Sequence, residues 1–100
     1  MRDGEYALLC IALAPNIEQT TAHFHRGLDE IYFMLDGRLT LCLYDPASEK
    51  IWNETLGPNE LCVITKGIHH KVVGSSKPNR LCVICVLPFD PDDEHMSEKI

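Results

Sequence analysis

The sequence predicts an all-β domain, a sandwich or a small barrel, on three observations. Apolar residues do not recur at the helical period; short apolar or alternating runs recur instead. Turn residues separate these runs at close spacing. The runs number about eight, the strand complement of a sandwich or a small barrel. They cover 5–13, 21–25, 29–36, 38–44, 49–55, 60–65, 69–74 and 80–87. The breakers between them are Pro15-Asn16, Gly27, Asp36-Gly37, Asp45-Pro46, Gly57-Pro58-Asn59, Lys66-Gly67 and Gly74-Ser75-Ser76.

The first run contains "YALLCIAL" (residues 6–13), a candidate strand for pairing with a partner sheet. Its apolar stretch is short and follows Asp3 and Glu5 rather than a basic region, so a secretory signal is not expected. In the second run His23 and His25 flank Phe24 and share one face of a strand. In the third, Glu30, Tyr32 and Met34 share a face, and Ile31, Phe33 and Leu35 the other. Asp36-Gly37 between the third and fourth runs predicts a hairpin joining them. The last run, "LCVICVL", places Cys82 and Cys85 three apart and so on opposite faces, which favours core packing over a shared zinc.

A chain of 100 residues, 45% apolar, implies one domain with a single core. Such a domain buries only about 60–65% of its unfolded surface, so a metal or partner subunit would help it. The net charge of −6, with no basic stripe, excludes nucleic acid as an expected partner. No run reaches the roughly 20 apolar residues of a membrane span. The cysteines (Cys10, Cys42, Cys62, Cys82 and Cys85), scattered among apolar runs, suggest buried thiols and a reducing cytoplasm. Residues 90–100 hold five acids and one lysine, −4 of the −6. The barrel is therefore expected over 1–88 and an acidic tail over 89–100. That tail reads either as a solvated end or as a segment packed on a barrel face or dimer interface, with Phe89 as anchor.

The chemistry concentrates in "TAHFHRGLDEIYFMLDG" (residues 21–37). Two imidazoles on one strand face can converge on one ion. Glu30, beyond the turn at Arg26-Gly27-Leu28, can return from a neighbouring strand. Asp29 competes with it, but Glu30 shares its face with Tyr32 and Met34. "TKGIHHKVVG" supplies His69 and His70 downstream.

The spacing His23-x-His25-x4-Glu30-x6-Gly37 resembles the first motif of the cupin family, and "NELCVITKGIHHKVVG" (residues 59–74) resembles the second. The likeness spans most of the chain. It implies a double-stranded β-helix (jelly-roll) barrel whose mouth holds one divalent metal on His23, His25, Glu30 and His70. His70, three residues after Gly67, is selected for the interior, which leaves His69 exposed or at the rim. The departures fall on scaffold positions: Ile17 and Asn59 replace glycines, Thr65 a proline and Gly74 an asparagine. Asn59 can keep its turn, because asparagine tolerates the left-handed backbone. The family also implies a homodimer.

Three imidazoles and a carboxylate suit iron, manganese, zinc, nickel or cobalt, and leave open positions for a substrate oxygen, water or dioxygen. Glu30 and Tyr32 are the candidate catalytic residues. Glu30 acts either as a permanent ligand or as a base. Tyr32 lines the pocket, and Met34 is equally a pocket or a core residue. Arg26, Lys66, Lys71 and Arg80 fall at turns or on outward faces, which speaks against a phosphosugar and for a small, largely neutral, oxygen-bearing substrate. The expected function is a metalloenzyme of dioxygenase, isomerase or lyase type. The alternatives are a non-enzymatic binding or regulatory module and a metal-free barrel.

Overall fold

The computed structural model describes residues 9–86 and 92–100, with side chains from Ile11 onward. The start of the first predicted run (5–8), the 88/89 boundary and the anchor Phe89 lie outside the described residues. Among the described residues nine strands follow in order: β1 (Leu9–Pro15), β2 (His23–Phe24), β3 (Asp29–Asp36), β4 (Leu39–Asp45), β5 (Lys50–Leu56), β6 (Leu61–Ile64), β7 (His69–Ser75), β8 (Arg80–Val86) and β9 (His95–Met96). They form two antiparallel sheets, β1-β8-β3-β6 and β5-β4-β7-β2-β9, a jelly-roll arrangement with an all-β fold as the sequence predicts.

Strand alternation builds the interior. On β3, Glu30, Tyr32 and Met34 are buried while their neighbours are half-covered. Their register partners on β8 are Cys85, Val83 and Leu81. From the opposite sheet, Leu39, Leu41 and Leu43 of β4 and Val72 and His70 of β7 face them. Met34, Leu39 and Leu41 are wholly buried, and Leu56, Ile64 and Leu81 close the same cluster. Burial of each such side chain contributes about 1.5–3 kcal/mol, so this cluster carries the fold.

The Asp36-Gly37 hairpin does not form. β3 pairs with β8 and β6, and β4 with β5 and β7, so this turn carries the chain from one sheet to the other. Gly37 has φ +78°, and a Cβ there would meet Pro78 O at 2.6 Å and Asn79 Cβ at 2.8 Å. The glycine serves a crowded corner, a requirement that reads in sequence like a hairpin turn. The hairpin in this region is β4–β5. Asn59 has φ 66°, so it keeps the left-handed turn in glycine's place.

The C-terminal segment carries a strand that the sequence does not announce. β9 pairs with β2, with His23 opposite Met96 and Phe24 opposite His95. Of the two readings of the acidic end, residues 93–97 follow the packed one.

Candidate metal centre

The cluster sits where the ends of β2, β3 and β7 meet inside the fold. His23 and His70 are register partners on β2 and β7. Glu30 stands at the start of β3, and His25 just past β2. One ligand atom from each of His23, His25, Glu30 and His70 lies within 4.8 Å of every other. His25 Nε2 and His70 Nε2 approach Glu30 Oε1 at 3.1 and 3.2 Å. His70 and Glu30 are buried; His23 and His25 are partly open and mark the mouth. All four sequence-predicted residues are thus brought together. Asp29, the competitor of Glu30, instead accepts the Lys66 main-chain N–H at 2.9 Å.

Each imidazole is oriented the same way. His23 Nδ1 meets Thr21 O at 3.1 Å, His70 Nδ1 meets Ile68 O at 3.1 Å, and His25 Nδ1 meets Asp93 O at 2.5 Å. A carbonyl only accepts, so each Nδ1 carries a proton, and in the neutral imidazole each Nε2 presents a lone pair. Those of His25 and His70 face Glu30 Oε1, also an acceptor. His25 Nε2, His70 Nε2 and Glu30 Oε1 are buried without a hydrogen-bond partner. Buried polar atoms are normally paired, because an orphan costs about 1–3 kcal/mol. A bound cation satisfies all of them at once, so the donor set fits a divalent metal with nitrogen and oxygen preference.

Burial lowers the His23 pKa and so favours its neutral form. Burial pushes Glu30 upward, but the imidazoles of His70, His25 and His23 outweigh it, and the carboxyl lies below its usual range. Tyr32 is raised far above its ordinary value, first by burial and then by the Glu30 charge, so it is a neutral phenol. Its ring meets His70 edge-on at 5.8 Å.

Two features went unread in the sequence. Cys85, grouped with the core cysteines, directs its thiol at Glu30 Oε2 at 3.7 Å. The parity of β8 against Glu30 was the available signal, since the two are register partners. His69 faces away from His70, as adjacent strand residues must, but it is buried rather than exposed. Phe24 stacks on it at 4.1 Å, and Ser97 Oγ meets its Nδ1 at 2.6 Å. The covering Ser97 comes from the segment whose packing the composition did not decide.

No protein-family model and no curated protein matches the chain. Solved structures do. The WlaRB TDP-quinovose 3,4-ketoisomerase from Campylobacter jejuni superposes with a TM-score of 0.77 at 17% identity, over 88% of this chain and 69% of its own. WlaRA, a TDP-fucose-3,4-ketoisomerase of the same organism, gives 0.78 at 18%, over 90% and 68%. QdtA, a sugar 3,4-ketoisomerase from Thermoanaerobacterium thermosaccharolyticum solved with TDP, gives 0.78 at 14%, over 89% and 66%. The chain spans about two thirds of the length of these neighbours. At such identity the likeness establishes the fold alone: the chain has the jelly-roll cupin fold.

Proposed function

We propose that this cupin-fold chain binds one divalent metal on His23, His25, Glu30 and His70 and acts on a small oxygen-bearing molecule, by isomerisation or oxygen chemistry. The observation that carries the reading is the set of converging, buried and unpartnered ligand atoms. A bound metal supplies Lewis acidity toward a substrate oxygen. The chain's own residues do the rest. The main-chain carbonyls of Thr21, Ile68 and Asp93 hold the imidazoles in one tautomer. The Cys85 thiol occupies Glu30 Oε2, leaving Oε1 toward the cluster. Tyr32, a neutral phenol, serves as a proton donor or orienting hydroxyl and not as a base.

The ketoisomerase neighbours favour isomerisation. The electrostatics favour an uncharged substrate over a phosphorylated one. Among the described residues, Glu30 Oε1 faces the imidazoles of His25 and His70, and a second carboxylate, Glu94, stands 3.8 Å from His23 Nε2 at the mouth. The test is metal-loaded protein against a panel of small hydroxyketones and hydroxyaldehydes in deuterium oxide, with dioxygen uptake followed in parallel. Metal-dependent deuterium incorporation or oxygen uptake, lost in Glu30→Gln, is the expected outcome. Ligand-induced stabilisation with neither reaction would favour the binding-module reading.

A homodimer in the cytoplasm completes the reading. The outer face of the β1-β8-β3-β6 sheet aligns Ile11, Ile84, Ile31 and Val63 in one row and Leu13, Cys82, Phe33 and Leu61 in the next. Ile11, Leu13, Leu61 and Val63 are more than half exposed. A neutral, apolar face lets two copies of an acidic chain meet without charge repulsion. Sedimentation should give a dimer that Leu13→Glu with Val63→Glu dissociates; a monomer at all concentrations would refute this. Cytoplasmic location is supported by thiols at Cys42, Cys62, Cys82 and Cys85. Among the described residues no helix is long and apolar enough to cross a membrane.

A further inference from the structure

The three imidazoles of the cluster are oriented by carbonyls from different distances along the chain. His23 and His70 use carbonyls two residues earlier, Thr21 and Ile68. These bonds form whenever the local strand forms. His25 uses Asp93, 68 residues away. Its orientation therefore depends on docking of the acidic C-terminal segment.

That docking is specified by side chains. The Asp93 carboxylate accepts the Arg26 N–H at 2.9 Å and the Gly27 N–H at 2.7 Å, and His95 Nε2 lies 3.0 Å from the same group. Gly27 is closely approached: a Cβ there would stand 3.1 Å from Asp93 Oδ2. The Asp93 carboxyl is held below its usual range, first by the Arg26 N–H. Beyond it, β9 pairs with β2, and Ser97 N donates to Ala22 O at 3.0 Å. Segment 93–97 thus runs along the strand that carries His23 and pins the turn between the histidine pair and Glu30.

We propose that Asp93 is a positioning residue of the metal centre, its carboxylate clamping the Arg26-Gly27 turn so that its own carbonyl holds His25 in the ligating tautomer and orientation. The inference rests on the metal-binding reading above. Partners that orient metal ligands in this way typically change affinity by 10–100-fold when removed. The acidic end is accordingly a wall of the site, and its charge serves hydrogen bonding as well as solubility.

The experiment uses the full chain, stripped of metal, titrated with zinc against a chromophoric chelator, with the visible spectrum of the cobalt(II) form as a second readout. Asp93→Ala should weaken zinc binding by about 10–100-fold and change the cobalt bands. Asp93→Asn, which keeps one accepting oxygen, should fall between it and the wild type. Glu98→Gln, a charge loss in the same segment, should match the wild type. Wild-type affinity and spectrum in Asp93→Ala overturn the proposal. So does a lowered metal-free Tm with unchanged affinity in Asp93→Asn, which marks a purely structural clamp. Failure of the metal reading itself is separately visible, because the wild-type arm would then take up no zinc.

Discussion

Two buried polar sites stand at the two ends of β3, and they are solved in opposite ways. At the Gly37 corner Asn79 is wholly buried and fully paired. Its Oδ1 accepts the Ile17 N–H at 2.9 Å, its Nδ2 donates to Ile17 O at 3.0 Å and Ser76 O at 2.7 Å, and its main chain bonds Asn16. At the other end His70 and Glu30 are also buried, yet His25 Nε2, His70 Nε2 and Glu30 Oε1 lack hydrogen-bond partners. A fold able to satisfy one buried polar group completely has left another set open. The first site serves stability. The second carries an energetic cost that a ligand of the right charge would remove.

Substitution separates the two sites. The largest effect belongs to Asn79→Leu, which strands the Ile17 N–H, Ile17 C=O and Ser76 C=O. At about 1–3 kcal/mol for each orphan, chemical denaturation should show a loss of at least about 3 kcal/mol, with metal stoichiometry unchanged in protein that remains folded. His70→Leu in the metal-free chain should do the reverse. Removing one member of an unsatisfied set and replacing it with an apolar side chain of similar size should leave stability unchanged or raise it by about 1 kcal/mol, while abolishing tight metal binding. A loss of more than about 2 kcal/mol there would exceed the cost of the Nδ1–Ile68 O bond and mean that His70 Nε2 is paired as well.

Acid should act on the metal-free protein in one direction. His23 and His69 are lowered in the folded state, burial being the first cause for each. The unfolded chain therefore binds more protons, and stability falls as pH drops below the ordinary histidine value of 6.5. Glu30, also lowered, adds a second loss below the ordinary carboxylate value of 4.5. Thermal melts of metal-free protein at pH 7.5, 5.5 and 3.5 measure both; a flat profile would contradict these shifts. The smallest effect is that of Cys85→Ser, which retains a donor to Glu30 Oε2 and should change metal affinity less than Cys85→Val does in the same titration.

Much of this was legible in the residues, for identifiable reasons. The eight predicted runs correspond to β1–β8 because strand alternation and turn residues are local signals. Glu30 was separable from Asp29 because its face continues through Tyr32 and Met34. What stayed hidden was non-local. Gly37 reads as a hairpin glycine until Asn79 and Pro78 are seen packed against it. β9 has two residues and no pattern of its own, and its place follows from pairing with β2. His69 is covered by Phe24 and by Ser97 from the far end of the chain. Cys85 joins the site only through the β3–β8 register.

The central claim is that the open end of β3 is built around a cation, and metal content per chain tests it most directly. Elemental mass spectrometry of freshly purified protein, beside a His25→Ala with His70→Ala variant, should give close to one divalent metal per chain in the native protein and essentially none in the variant. An empty native protein that also refuses iron, manganese, zinc, nickel and cobalt under reducing conditions would contradict the account and leave a cupin barrel used for binding or assembly.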